Sequence, residues 1–307
     1  MAHDQAGHDH AGHAHAPADF GTAFLIGIAL NTAFVVVEAV FGFISNSVAL
    51  IADAGHNLSD VLGLVVAWGG TVLARRAPTF RFTYGLRGTT ILAALFNAVL
   101  LLVGVGAIAW EAIGRLFEPT PIAGGTVMIV AALGIIINAA TAWLFMAGRK
   151  RDLNVRGAFL HMAADAAVSA GVVVAAFVIV LTGWLWLDPL MSLVIATVIV
   201  WGTWGLLRES IALSLAAVPS GIDPQHVRAF LTHLPGVAGV HDLHIWAMST
   251  TETALTAHLI MPRGHPGDAA LAGFQQELAH RFGIGHATLQ IELGDAGACA
   301  LEPTQTV

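Results

Sequence analysis

Residues Gly88 to Trp110 read GTTILAALFNAVLLLVGVGAIAW, an unbroken run without one charged side chain. In water such a run would need cover on every side, whereas in lipid it is a helix exterior, and about 18 or more apolar residues suffice to cross the hydrocarbon core. Three further charge-free runs follow at 122–148, 166–187 and 189–207. Working outward to the polar breaks between such runs predicts six transmembrane helices, at 20–43, 48–74, 88–116, 122–147, 155–181 and 188–213. Composition agrees, since 56% of the 307 residues are hydrophobic and only 11% are charged, against roughly 25% charged in an ordinary soluble domain. The chain reads as an α-helical polytopic membrane protein embedded in a lipid bilayer.

Arg75, Arg76, Arg81 and Arg87 gather around the break after the second span, and Arg149, Lys150, Arg151 and Arg156 around the break after the fourth. Arg115 stands alone near an odd-numbered break, so the positive-inside rule puts both termini in the cytoplasm. Lys150 is the only lysine; with abundant Ala and Gly, this arginine bias points to a GC-rich prokaryote and a bacterial cytoplasmic (inner) membrane. A net charge of -7 argues against nucleic acid as a partner. The single cysteine, Cys299, excludes a disulfide scaffold, an all-cysteine zinc site and an iron–sulfur cluster.

The first 19 residues hold Asp4, Asp9, Asp19 and five histidines (His3, His8, His10, His13, His15) but no Lys or Arg. They do not read as a secretory signal. They are expected to be a disordered cytoplasmic tail over 1–19 that captures metal weakly. A membrane domain over 20–215 follows, then a soluble domain over 216–293 and a flexible tail over 294–307. After Pro219 the charges return: Asp223 reads as a helix N-cap, 237–248 and 252–261 as a hairpin, 267–282 as a helix and 285–293 as a strand. That αββαβ order predicts a small two-layer α+β domain on the cytoplasmic side.

Fifteen histidines occur, yet only His56 and His161 fall between residues 16 and 225. Each is followed four residues later by an aspartate, Asp60 and Asp165, and an i, i+4 spacing stacks two side chains on one helix face. The second and fifth spans run antiparallel, so side-by-side packing sets His56 level with Asp165 and Asp60 level with His161. Two imidazoles and two carboxylates then close a tetrahedral shell suited to Zn2+. The two aspartates also cancel the charge of the ion, which matters because uncompensated charge at bilayer depth costs at least several kcal/mol. One His and Asp pair would be explained equally well as interhelical hydrogen bonding; two matching pairs point to metal. Asp53 shares the stripe and reads either as lining for an exit path, as a cap, or as a hydrogen-bond partner of Asn31 or Asn138.

The ligand types also set a coupling. Zinc needs neutral His56 and His161 with ionised Asp60 and Asp165. Its departure leaves two carboxylates close together, which draws protons back. The expected cycle exchanges Zn2+ for H+, driven by a proton gradient that is acid outside. In the soluble domain, a hairpin turn near Ser249-Thr250 sets His241 roughly opposite His258.

Ser47-Val48-Ala49-Leu50-Ile51-Ala52-Asp53-Ala54-Gly55-His56-Asn57-Leu58-Ser59-Asp60 resembles the second-span signature of the cation diffusion facilitator family of metal exporters. Tyr84-Gly85-Leu86-Arg87, His161 to Asp165, Asp188-Pro189, His241-Asp242-Leu243-His244-Ile245-Trp246 and His286 to Glu292 are similar to further family segments. The resemblance runs from Phe20 to Glu292. It implies a homodimeric metal/proton antiporter with a ferredoxin-like C-terminal domain. It also implies a zinc preference from His at the first motif position, and a third ligand, Glu292, beside His241 and His258 in a possible regulatory zinc site. Family members further carry an interlocking charge pair, to which Arg87 and Glu209 correspond. Ser214 to Pro219 departs from the family, whose members commonly place Glu-Gly before Val-Pro.

The function so indicated is divalent metal cation efflux, with zinc moved out of the cytoplasm by alternating access. An exporter of the same family preferring cobalt or cadmium is the alternative. No organic cofactor is implied. An intramembrane zinc protease would need His-Glu-x-x-His, which the chain lacks. A membrane metal sensor would not need a neutralised ligand shell buried among six spans.

Overall fold

A computed structural model describes residues 22–146 and 153–294. The histidine-rich tail, the break after the fourth span and the C-terminal tail with Cys299 lie outside the described residues. Six long helices come first: α1 (Thr22–Ser45), α2 (Val48–Ala74), α3 (Thr89–Phe117), α4 (Gly124–Met146), α5 (Leu153–Thr182) and α6 (Leu187–Ser214). Among the described residues, Thr89–Phe117, Gly124–Trp143, Met162–Thr182 and Leu187–Ser214 are long and apolar enough to cross a membrane, and α1 offers the shorter apolar stretch Ala29–Ser45. The apolar run of α2 is interrupted by Asp53, His56, Asn57, Ser59 and Asp60. Large apolar side chains such as Trp110, Ile129 and Trp201 stand exposed on the outside of the bundle, the arrangement lipid favours and water does not.

Small residues let the helices approach closely, as membrane helix interfaces require. A Cβ on Gly134 would meet the Phe34 ring at 2.7 Å, and one on Gly124 would meet Val180 at 2.9 Å. These contacts seat α4 against α1 and α5 around a core that includes Phe34, Leu50, Val127, Val172 and Ile195. The turn between α1 and α2 fixes where α2 begins. Asn46 takes the left-handed conformation with φ 56°, which Asn tolerates better than most residues. Ser47 caps the helix by accepting from the Leu50 amide at 3.2 Å. Asp188, at the start of α6, accepts from the Val48 amide at 2.8 Å and from the Ser47 hydroxyl. The Asp188-Pro189 segment thus anchors the helix that carries His56.

The C-terminal part contains α7 (Pro224–Thr232), β1 (Gly239–Ala247), β2 (Thr253–Ile260), α8 (Asp268–Phe282) and β3 (His286–Glu292). Asp223 caps α7, accepting from the Gln225 amide at 2.8 Å with Pro224 in the first turn. Gly283, with φ 69°, closes α8 in the left-handed conformation that favours glycine. The sheet order is β1-β2-β3, with β1 and β2 antiparallel and β2 and β3 parallel. Leu255, Ala257 and Leu259 of β2 pack with Val227 and Leu231 of α7 and Leu278 of α8. Both helices therefore cover one sheet face, and alternation turns Ala254, Thr256 and His258 to the other.

The hairpin turn meets the start of α3. Arg87 Nη1 pairs with Glu252 Oε1 at 2.6 Å, the Thr250 amide donates to Thr90 Oγ1 at 3.1 Å, and Tyr84 meets His286 edge to face with ring centres 5.6 Å apart. This corrects the expected pairing of Arg87 with Glu209. The Glu209 carboxylate instead accepts from the Ser220 hydroxyl at 3.0 Å, because the chain turns back after α6 and brings Ser220 beneath it.

Candidate metal sites

His56 of α2 and Asp165 of α5 meet across the bundle, with Nε2 3.5 Å from Oδ1 and side-chain exposures of 19% and 3%. Ligands held about 2.0–2.2 Å from a tetrahedral zinc stand about 3.3 Å apart, so this pair is already at the spacing a shared ion needs. Asp60 and His161 sit one helical turn along α2 and α5, about 6 Å down the axis at a rise of 1.5 Å per residue. Their side chains lie outside the described ones. The expected level of His56 with Asp165 is therefore observed, while its counterpart across Asp60 and His161 rests on backbone position.

A polar network surrounds this pair. Asp53 is fully buried; it accepts from Ser169 Oγ at 3.1 Å and lies within hydrogen-bonding reach of Glu38. Asn138, one of the two expected partners, makes no side-chain hydrogen bond, and Asn31, the other, donates toward Met162 Sδ at 3.6 Å. Glu38, also fully buried, accepts from Asn57 Nδ2 at 3.1 Å. Glu38 lies inside the first span. The available signal was an ionisable residue inside an otherwise apolar span, which is functional by default.

The second cluster lies on the sheet face turned away from α7 and α8. His241 and His258 are directly paired in the β1–β2 register, as expected from the hairpin. Glu292 at the end of β3 reaches both, with Oε2 3.2 Å from His241 Nε2 and Oε1 2.9 Å from His258 Nδ1. One ligand atom from each of the three falls within 4.8 Å of the others. Both histidines are buried, and neither ring nitrogen of His241 makes a hydrogen bond, although Nε2 stands 3.2 Å from Glu292 Oε2. A buried imidazole without a hydrogen bond carries a desolvation cost, and a cation would relieve it. The donor set thus fits a metal such as zinc.

Asp242, missed in the sequence, stands beside this cluster. It occupies an irregularity of the register between His241 and His244, with φ 49°. From there its carboxylate contacts His244 Nε2 at 2.8 Å and His258 Nε2 at 3.4 Å. A bulge adds a residue out of the alternation, which no periodicity in the sequence announces. Of the remaining residues, His286 opens β3 as expected, and Glu111 is exposed and paired with Arg115 at 2.9 Å.

The family model for the cation efflux transmembrane domain matches residues 24–213, and the model for the cation efflux protein cytoplasmic domain matches 219–293. The chain is 37% identical over 270 residues to the zinc transporter ZitB of Escherichia coli K12, covering 87% of this chain and 86% of that protein. It is 33% identical over 273 residues to the cadmium, cobalt and zinc/H(+)-K(+) antiporter of Bacillus subtilis 168, covering 87% and 88%. To the metal cation efflux system protein CzcD of Cupriavidus metallidurans it is 37% identical over 269 residues, covering 87% and 85%. With both halves matched and a His56–Asp165 pair joining two of its long helices, the chain belongs to the cation diffusion facilitator family and is an integral membrane transporter, not an enzyme.

Proposed function

We infer that this protein exports Zn2+ from the cytoplasm in exchange for H+, by alternating access to a site made of His56, Asp60, His161 and Asp165. The observation that carries the reading is the approach of His56 Nε2 to Asp165 Oδ1 at 3.5 Å across two different helices. Each residue of that pair has a complementary ligand one turn away. Two neutral imidazoles and two carboxylates neutralise a divalent ion, and imidazole favours borderline metals over hard ones. The relatives' names add support, since they include a zinc transporter and a zinc/H(+)-K(+) antiporter. Cadmium and cobalt also occur in the second of those names, and the same donor set accepts both ions.

The architecture that serves this function has a membrane domain over 20–215 crossing the bilayer six times, with both termini in the cytoplasm of a bacterial inner membrane. A ferredoxin-like domain over 216–293 follows, flanked by the histidine-rich tail 1–19 and the tail 294–307. The match to the cytoplasmic domain model supports that placement, and the chain works as a homodimer. His241, His258 and Glu292 form a regulatory zinc site separate from the cargo path.

Purified protein in inside-out vesicles tests the function. Zinc uptake should rise when the lumen is acidified and should itself make the lumen more alkaline. Zinc flux indifferent to the pH gradient, with no proton counter-movement, would leave a passive uniporter.

A further inference from the structure

Beside the proposed cargo site, two fully buried carboxyl groups face each other: Glu38 on α1 and Asp53 on α2. Each has one oxygen satisfied, Glu38 Oε2 by Asn57 Nδ2 and Asp53 Oδ2 by Ser169 Oγ, both at 3.1 Å. The remaining oxygens, Glu38 Oε1 and Asp53 Oδ1, are buried and accept no hydrogen bond. Two ionised carboxylates in contact away from water are unfavourable twice over, by desolvation and by mutual repulsion. α1, α2 and α4 contain no Lys or Arg to compensate them. Arg156, near the start of α5, is thirteen residues from Ser169, which is about 20 Å along a helix.

We propose that Glu38 and Asp53 share one proton as a carboxyl–carboxylate dyad, and that this dyad is a second proton-exchanging site coupled to the metal. One shared proton supplies the missing donor and removes one of the two charges. The dyad is wired to the cargo ligands through its own partners. Asp53 precedes His56 by three residues, Asn57 adjoins His56, and Ser169 follows Asp165 by one turn. The titratable groups turned toward it are His56 of α2 and Asp165 of α5, while α4 contributes the neutral Asn138 to the buried interior. Asp188 of α6 is engaged by Ser47 and Val48 at the start of α2, and on α3 Glu111 is paired with Arg115.

A divalent ion arriving one helical turn from Asp53 repels the shared proton, which leaves to water as the metal loads. Departure of the ion allows the proton to return. The proposal rests on the transport reading for its coupling, but the shared proton can be detected without any transport.

Infrared difference spectroscopy on the purified full-length protein, with and without zinc, is the test, paired with a pH-indicator count of protons released per zinc. The zinc-free protein should show a protonated-carboxyl band that zinc diminishes, and Glu38→Gln and Asp53→Asn should each remove it. Proton release should fall by about one per zinc in either variant. Both substitutions keep a hydrogen-bonding amide in place, so monodisperse elution of either suffices for the comparison. Absence of the band in zinc-free protein overturns the dyad, whatever happens at the cargo site. A band that zinc leaves unchanged, with unaltered proton release in both variants, overturns its exchange. Failure of zinc to bind the unmodified protein overturns the cargo-site reading instead and is recognised separately, because the band is read before zinc is added.

Discussion

In the membrane domain the candidate ligands come as His-x-x-x-Asp pairs stacked one turn apart on α2 and α5, whereas in the C-terminal domain they come from three neighbouring strands. The charge balance differs as well. Two histidines and two aspartates leave a zinc-loaded cargo site neutral, while His241, His258 and Glu292 alone leave a residual positive charge, with the Asp242 carboxylate outside the trio at 3.4 Å from His258 Nε2. Net charge at bilayer depth is costly, so neutrality favours the loaded cargo site, whereas a site on a soluble sheet has less need of such balance. The difference teaches what each can do. The helical site rests on two rods that can shift against each other, and the sheet site is held by backbone ladders that fix it in place.

The sharpest way to break this comparison is to remove one cargo ligand. We expect Asp165→Ala or His56→Ala to abolish zinc flux in vesicles while the protein still elutes as a dimer, since a four-ligand site loses both its geometry and its charge balance. Near-normal flux in Asp165→Ala would sink the assignment. The next largest effect is on selectivity. His56→Asp replaces imidazole by a harder carboxylate and should shift the zinc-to-cadmium flux ratio severalfold; an unchanged ratio would show that shell chemistry does not select the ion.

Much of the arrangement was legible before any coordinates, and the reasons are physical. All six helices fall within about two residues of the expected boundaries, because a long, mainly apolar run between polar breaks has few alternatives in lipid. The i, i+4 pairs were readable because helical periodicity maps sequence onto space directly, and His241 faced His258 because a tight turn fixes register. What stayed hidden was set by contacts between distant segments. Nothing near Arg87 announces Glu252 as its partner, since that depends on how the hairpin turn meets α3. Asp188 as an anchor for α2, and Glu38 against Asp53, likewise depend on which helices become neighbours.

A milder break concerns the sheet site alone. Replacing His241, His258 and Glu292 together should leave the transport chemistry intact but reduce zinc-dependent stabilisation of the full-length dimer to the part that the cargo site contributes. Thermal unfolding with and without zinc reads this. At free zinc about a hundredfold above Kd, one bound ion contributes roughly 2.7 kcal/mol, so the triple variant should lose that much of the total shift and keep the cargo ion's share. A variant still stabilised by zinc to the same extent would place the stabilising ion elsewhere.

The smallest expected effect tests the link between the two regions. Arg87 and Glu252 join the start of α3 to the hairpin whose strands carry His241 and His258, and the two side chains are 40% and 43% exposed. An ion pair so open to solvent is worth roughly 0.2–1 kcal/mol, less than a factor of about five in any equilibrium it biases. Glu252→Gln should therefore lower zinc flux less than about fivefold and leave the zinc-to-cadmium ratio unchanged, because no cargo ligand is touched. The effect should also shrink at high salt, where exposed charges are screened. The Thr250 amide bond to Thr90 Oγ1 persists in that variant, so Glu252→Gln combined with Thr90→Val measures the whole clasp. If the combined variant transports normally and zinc still stabilises it as before, the two regions work independently, and metal held on the sheet does not reach α3 through the hairpin turn.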